Sequence, residues 1–514
     1  MRNCHDTRNY IDMNKQLLLC LLHVLVLSGC QHKTPDTSRI SQQINAYEPD
    51  WSSLRKHQSP EWLDGMKFGM YFHWGPATVI GADQSMTRLE AIEQWKAEEF
   101  SAEAWVDLIQ ASGAQFGGPV AWHGCGLLNW DSDITEWNST EKGPKKDIYG
   151  SLATELRKRN MPVISSFHTG RFYDRMWGKI SKSNTTYLSP TEDHSTYATR
   201  NGGRMSNVIF DAWYARITEA ITKYQPDMIW FDTGFGGTVG PELRKQLYKG
   251  RLLQDSLVRI GGLSEEYQQR LISFYFNKGI EWNKEVEVFY KSHDIPPGIG
   301  MRDIENGNLV GLQYDPWIAD IDMSHHYDWS PTWFYNPKNP IKDANMLVDM
   351  LVDMTSKNGR MLLNVPPLAD GSFHEDVTKE LYAMGDWLEL NGEAIYGTIP
   401  WTFYGEGPTE VTLPGHHGQG KNRGQNIPRY TSKDIRFTQK GKILYAILLE
   451  WPGQQAHIKT LGTEGKLHPN TIRNVRLLGS EAPISWEHTP GALVVNLPAQ
   501  KPCDFAQVIR IERN

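Results

Sequence analysis

The sequence predicts an α/β fold, a (β/α)8-type (TIM-like) barrel followed by a C-terminal antiparallel β-sandwich. Three observations predict it. From Trp51 onward, short apolar runs alternate with amphipathic segments of helical period, the mark of parallel strands joined by helices. About eight such steps over roughly 340 residues fit a barrel with insertions better than an open sheet, although the count alone leaves a doubly wound sheet open. After Gly397 the helical periods stop. Alternating runs separated by Gly, Pro, Asn and Ser take over and read as a sandwich of about 110 residues.

The chain opens with a targeting pattern. Residues 13–29 read MNKQLLLCLLHVLVLSG, with Lys15 as a short basic region and an apolar stretch at 17–27 that is too short to span a bilayer as a stable helix. Cys30 follows Leu27-Ser28-Gly29, an ending similar to a bacterial lipobox, in which the Cys is acylated and becomes the mature N-terminus. This predicts a lipoprotein signal peptide over 1–30 and an exported bacterial lipoprotein, periplasmic or outer-membrane associated, that meets the membrane only through a lipid anchor at Cys30. A plain secretory signal with a chance Cys is the alternative. The polar residues 1–12 fit no targeting pattern, which makes Met13 a candidate start. Residues 31–50 are polar and aperiodic and read as a tether, leading to a catalytic domain at 51–397 and the sandwich at 398–514.

Within the catalytic domain the strand candidates are 68–75 (FGMYFHWG), 116–122, 162–168, 228–232 (MIWFD) and 361–365 (MLLNV), with weaker ones at 271–276 and 301–305. Between them, Ser101 can cap AEAWVDLIQASGAQ, whose Trp105, Leu108 and Ile109 share a face. Residues 147–160 and 206–224 have a similar period, and 344–357 ends at Asn358-Gly359, a plausible C-cap. In the last domain the alternating runs are 434–437, 443–449, 457–460, 474–478, 492–497 and 507–511, and the Gly- and basic-rich stretch 416–429 reads as an exposed loop.

Bulk composition narrows the function classes. The chain of 514 residues carries a formal charge of −7 and no basic run, so electrostatics makes no case for nucleic acid. Nineteen Trp and 21 Tyr supply aromatic faces suited to the apolar faces of sugars, though any single Trp reads first as core. With Cys30 acylated, Cys125 and Cys503 are the remaining thiols of the mature chain. They form neither a disulfide framework nor a CxxC pair, so stability rests on a large buried core.

Polar groups at the C-terminal ends of barrel strands point into a shared mouth. Four strands end in suggestive groups: His73-Trp74-Gly75, Trp122-His123, Phe167-His168 and Trp230-Phe231-Asp232. An Asp closing an apolar strand costs free energy unless it is paired or working. Alone, Asp232 reads equally as a helix N-cap or a structural ion-paired carboxylate; the His and Trp converging on one rim tip the reading toward catalysis. Two carboxylates with His and Trp are the inventory for glycoside cleavage. One carboxylate attacks the anomeric carbon, and the other protonates the leaving oxygen and later activates water. His325-His326, with Asp320 and Asp322 nearby, match no ligand spacing and read as a loop, so no metal site is expected.

Several motifs in order carry a resemblance that runs from about residue 60 to the end. FGMYFHWG, FSAEAWVDLIQASGA, WDSDITEWNS with GPKKDIYGSL, YQPDMIWFD, and SKNGRMLLNVPPLADGS with LNGEAIYGT resemble the α-L-fucosidases of glycoside hydrolase family 29. DIRFTQKGKILYAILLEWP and VRLLGS are similar to that family's sandwich. The resemblance implies a retaining double displacement on a carbohydrate substrate with no metal or organic cofactor. It places the nucleophile at Asp232 and the Trp of the same W-x-D motif at Trp230. It puts a sugar-contacting His at His73, with Trp74 and His168 on the same rim. Where the family reads AKHHDGF, this chain reads Ala121-Trp122-His123-Gly124-Cys125-Gly126-Leu127, keeping the first His at His123 and losing the second His and the Asp. Where the family has Tyr-Tyr-Ser, this chain has Ser165-Ser166-Phe167-His168. Arg302-Asp303-Ile304-Glu305-Asn306-Gly307 resembles a D-x-E-R-G segment apart from Asn306, which implies Glu305 as acid/base. A surface Glu in a polar loop is its bland reading, and Glu281, Glu285 and Glu287 are rivals. Trp95, preceded by Gln94, resembles the family's EW pair and is a candidate pocket wall.

The leading expectation is an exo-acting hydrolase that removes terminal α-L-fucosyl residues from oligo- or polysaccharides. The nearest alternative is an α-L-galactosidase, or an exo-hydrolase of another modified L-sugar, acting on sulfated algal polysaccharide. L-Galactose is fucose with an added C6 hydroxyl, and the pocket is altered at Gly124, Cys125 and Ser166. A third reading is a carbohydrate-binding lipoprotein that has lost catalysis, against which the presence of both Asp232 and Glu305 argues.

Overall fold

Eight parallel strands close into a barrel: β1 Phe68–Phe72, β2 Phe116–Trp122, β3 Ile164–Phe167, β4 Met228–Phe231, β5 Glu287–Lys291, β6 Met301–Asp303, β7 Trp317–Asp322 and β8 Gly359–Asn364. They pair in sequence order, and β8 returns to β1 with Phe68 opposite Met361 and Tyr71 opposite Asn364. The computed structural model describes residues 46–82, 86, 88–123, 126–167, 207–232, 238–239, 259–260, 264–291, 295–324, 333–411, 413–414, 429–465 and 472–514. The expected signal peptide with Cys30, most of the expected tether, Gly124, Cys125, His168, His325-His326 and nearly all of the stretch 416–429 lie outside the described residues.

The helices form where the sequence places caps. In α1 (Ala102–Ala111), Ser101 accepts a hydrogen bond from the Ala104 N–H; in α2 (Ile148–Lys158), Asp147 does the same for Gly150. Next come α3 (Asn207–Tyr224) and α4 (Glu265–Glu281), then α5 (Ala344–Ser356), capped by Asp343 and stopped where Asn358 turns to φ 71°. The last is α6 (Glu375–Asn391).

Two expectations need correction. Residues 271–276 are not a strand but the middle of α4, where Tyr267, Leu271, Ile272, Tyr275, Phe276 and Gly279 share a buried face. A six-residue apolar run satisfies helical and extended readings alike, and the polar turn EEYQQR ahead of it was the discriminating signal. Conversely, β5 and β7 escaped notice because charged residues punctuate them: Glu287 and Lys291 in one, Asp320 and Asp322 in the other. The regular alternation of strand and helix also fails here, since the described residues hold no helix between β5 and β6 or between β6 and β7.

The barrel interior is packed by Tyr71, Phe116, Val120, Ile164, Met228, Trp230, Phe289, Met301, Ile318 and Leu362, with Leu63 joining the cluster. Close strand approach demands small residues: a Cβ on Gly118 would stand 1.7 Å from the Ile164 carbonyl oxygen. Residues 46–50 do not behave as tether. The Tyr47 carbonyl accepts hydrogen bonds from Ser273 and Asn277 of α4, and Asp50 caps the short helix Trp51–Leu54.

The sandwich places a five-stranded sheet beside a three-stranded one. The larger comprises β9 (Ile399–Glu406), β10 (Ile435–Lys440), β11 (Ile443–Leu448), β13 (Ile472–Leu477) and β16 (Gln507–Arg513); the smaller comprises β12 (Gln455–Ile458), β14 (Trp486–His488) and β15 (Leu493–Asn496). β11 is apolar on both faces because both are covered. Leu444, Ala446 and Leu448 join the sandwich core, while Tyr445 and Ile447 join the core that surrounds the barrel. At the seam the buried Arg436 of β10 pairs with Asp353 of α5, which also pairs with Lys357.

Candidate active site

Side chains alternate along a strand, so residues two apart face the same side. The packed interior residues Met228, Trp230, Phe289, Met301, Ile318 and Leu362 set the inward phase. Continuing that phase toward the C-terminal ends brings inward Asp232 after β4, Lys291 on β5, Asp303 and Glu305 on and after β6, Asp320 and Asp322 on β7, and Asn364 on β8. His73 follows Tyr71 in the same phase. In β2 the register shifts between Val120 and Trp122, a bulge that precedes His123.

Lys291 is the centre of this layer. Its Nζ lies 2.7 Å from Asp320 Oδ1, 2.9 Å from Asp303 Oδ2 and 3.3 Å from Glu305 Oε2, and all four side chains are buried. The ammonium also sits 4.5 Å from the centre of the Trp230 ring. Burial works against this charge, but Asp303, Asp320, Glu305 and Asp232 outweigh it and hold Lys291 well above the usual lysine range. Burial and the neighbouring Asp303 push Asp320 well above the usual carboxylate range, with Lys291 pulling the other way. The Tyr71 hydroxyl donates to Asp320 Oδ2 at 3.1 Å. Burial, then Asp320, Asp303, Glu305 and Asp232, keep this phenol neutral. Asp232 is half-buried, and its N–H donates to the Phe167 carbonyl at 3.0 Å.

The opposite side of the mouth is aromatic and imidazole. The His73 ring meets His123 edge-on at 5.0 Å between centroids, with Trp333 at 5.2 Å and Phe334 at 5.7 Å. Asn364 positions His73: its Oδ1 lies 3.0 Å from the His73 backbone nitrogen and 2.9 Å from Nδ1. Its Nδ2 donates to Asp322 Oδ1 and the Trp333 carbonyl.

The structure therefore brings Asp232, Glu305, His73, His123 and Trp230 to one end of the barrel. Trp74 and Trp95 lie behind that layer. Trp95 has no exposed surface, and the two rings meet edge-on at 4.9 Å in a cluster with Phe100 and Trp105. The Trp74 indole N–H donates to the Leu368 carbonyl. Of the rivals to Glu305, Glu287 begins β5 at the other end of the barrel, beside His57 at 3.7 Å, and Glu281 ends α4 on the outside. Sequence reading missed Lys291, Asp303, Tyr71, Asn364, Trp333 and Phe334 as site residues. The strand-end rule that found Asp232 would have found Lys291 had 287–291 been read as a strand. No group of His, Cys, Asp or Glu side chains suited to a metal ion occurs among the described residues. Asp303, Glu305 and Asp320 enclose an ammonium instead.

Comparison with known proteins adds an independent line. A family model described as alpha-L-fucosidase matches residues 36–393, and one described as alpha-L-fucosidase C-terminal domain matches 429–512. The tissue alpha-L-fucosidase of Homo sapiens is 24% identical over 520 residues, covering 93% of this chain and 94% of its own length. The alpha-L-fucosidase of Branchiostoma floridae is 25% identical over 512 residues, covering 91% and 96%. Among solved structures, a Thermotoga maritima alpha-fucosidase in complex with fucose superposes with a TM-score of 0.64 at 21% identity, over 90% of this chain and 99% of its own. A Bacteroides thetaiotaomicron GH29 alpha-L-fucosidase, trapped as a covalent intermediate with 2-fluoro-fucosyl fluoride, gives 0.60 at 16% identity, over 91% and 97%. At these identities the two structures speak to fold, and both share the barrel and sandwich architecture found here.

Proposed function

Because this chain belongs to the α-L-fucosidase family of glycoside hydrolases, we propose that it removes terminal α-L-fucosyl residues from glycans by retaining double displacement, with Asp232 as nucleophile and Glu305 as acid/base. The observation that carries this reading is the pair of carboxylates, one following β4 and one following β6, that both act on the ammonium of Lys291 beside Trp230. In the first step Asp232 attacks the anomeric carbon while the Glu305 proton passes to the departing oxygen. In the second, Glu305 takes a proton from water as the water oxygen displaces Asp232. A covalent intermediate trapped in a structural neighbour of the same family supports the double displacement. His73, His123, Trp230 and His168 would orient the sugar, while Trp74 and Trp95 pack against each other in the cluster with Phe100 and Trp105.

NMR of the first-formed sugar from nitrophenyl α-L-fucoside tests the reading. α-L-Fucose appearing first agrees with retention, and β-L-fucose appearing first sinks it. Turnover of the α-L-galactoside without turnover of the fucoside would overturn the choice of sugar. Export and acylation at Cys30 rest on residues 13–30 and are tested by palmitate labelling of the expressed chain, which Cys30→Ala should abolish.

A further inference from the structure

We propose that Lys291 is the positioning residue of the acid/base: it grips the Glu305 carboxylate, and the neighbouring Asp303 and Asp232 carboxylates offset its charge so that Glu305 can be held and still keep a proton. The inference rests on the assignment of Glu305 above. A retaining acid/base has conflicting needs. It must point one way through both steps, be protonated before the first and ionised before the second. A lone ammonium at 3.3 Å would orient Glu305 but pull its proton off. Here the ammonium is already engaged by Asp320 at 2.7 Å and Asp303 at 2.9 Å, both closer than Glu305.

Backbone geometry fixes the clamp. The Asp320 N–H donates to Asp303 Oδ1 at 2.9 Å, and the Asn306 N–H donates to the Asp320 carbonyl at 2.8 Å, so the strands bearing Lys291's counter-charges are tied together on either side of Glu305. Among the described residues, the titratable groups that act on Lys291 are Asp303 and Glu305 from β6 and its end, Asp320 from β7, Asp232 from β4, and Tyr71 from β1 through Asp320. With Asp320 raised toward its protonated form, the Asp303 and Asp232 carboxylates are what offset the ammonium beside Glu305.

Opposite changes in charge should therefore move the alkaline limb of kcat/KM in opposite directions, since that limb reports the acid in free enzyme. The test compares full-length wild type, Lys291→Met, Lys291→Arg, Asp303→Asn and Glu305→Ala on phenyl and nitrophenyl α-L-fucosides. Lys291→Met should raise the limb by about one pH unit or more and lose ~10²-fold on the phenyl glycoside, with a clearly smaller loss on nitrophenyl. Lys291→Arg should restore most of it. Asp303→Asn should lower the limb, and its amide oxygen can keep the Asp320 N–H bond, so it serves if Lys291→Met fails to fold. Limbs that stay put, or move the same way in Lys291→Met and Asp303→Asn, overturn the inference. If Glu305→Ala shows no preference for the better leaving group, the acid/base assignment falls and takes the inference with it. If Glu305→Ala shows that preference while the limbs stay put, the clamp alone is wrong.

Discussion

Asn364 fixes the tautomer of His73. Because the Asn364 amide nitrogen donates to Asp322 and to the Trp333 carbonyl, its Oδ1 is the atom facing His73. An oxygen acceptor 2.9 Å from Nδ1 requires that nitrogen to carry the proton. In the neutral ring Nε2 is then the acceptor, the state suited to a sugar hydroxyl. Asn364→Ala removes this control and leaves buried donors without an acceptor. It should raise KM and lower kcat/KM on nitrophenyl α-L-fucoside by about 10-fold or more, roughly the value of a hydrogen bond in a desolvated site. Kinetics equal to wild type would mean that His73 orientation is irrelevant to turnover.

Asp232→Gly should fold and lose nearly all hydrolysis. Sodium azide should restore turnover of nitrophenyl α-L-fucoside, because a small anion can occupy the space of the missing carboxylate and attack the anomeric carbon. The product would be β-fucosyl azide, detectable by mass and by its anomeric proton. Residual activity near the wild-type level without azide would falsify the nucleophile assignment.

Glu305→Ala should discriminate by leaving group. A departing nitrophenolate needs little protonation, whereas a sugar hydroxyl needs much, so the loss should be on the order of 10²-fold greater for a fucosylated disaccharide. Glu285→Ala serves as the control from the loop before β5. Should Glu285→Ala show the leaving-group pattern and Glu305→Ala not, the two roles are exchanged.

The seam between barrel and sandwich should carry a pH-dependent share of stability. Burial alone would raise the Asp353 carboxyl, but Arg436 and Lys357 outweigh it and hold it below the usual carboxylate range. A carboxyl depressed in the folded state contributes stability that is present above its unfolded pKa of about 4 and is lost as pH falls through the folded value. Arg436→Met leaves that charge buried with Lys357 as its remaining ion-pair partner and the Asn308 amide as a donor, and should cost about 3 kcal/mol at pH 7. The gap between wild type and variant in urea unfolding should narrow as pH falls below about 4. A gap that is constant with pH would assign the loss to packing.

Much of the fold was legible because it is written in local pattern. The cap Ser101 and the left-handed Asn358 stand where the sequence signalled helix ends, and the periods at 147–160 and 344–357 begin beside the caps Asp147 and Asp343. The apolar strand ending in Asp232 announced itself by the cost of an acid closing a buried run. The errors cluster where local pattern is ambiguous or spoiled. LISFYF satisfied two periods, and β5 and β7 were hidden by the very charges that make them interesting.

By itself the sequence pointed to a barrel followed by a sandwich, and to three of the strand ends that meet at the mouth, those of His73, His123 and Asp232. Only tertiary structure decided the site's electrostatics and its division of labour. Lys291, Asp303, Glu305 and Asp320 come from three neighbouring strands, and nothing in their spacing says that one ammonium will face three carboxylates within 3.3 Å. Trp74 lies one residue from His73, yet it joins the outer cluster with Phe72, since the alternation of β1 carries on past the strand's end. Periodicity is a property of neighbours in the chain. A charge's worth depends on distance and burial, and those are set only when the sheet closes on itself.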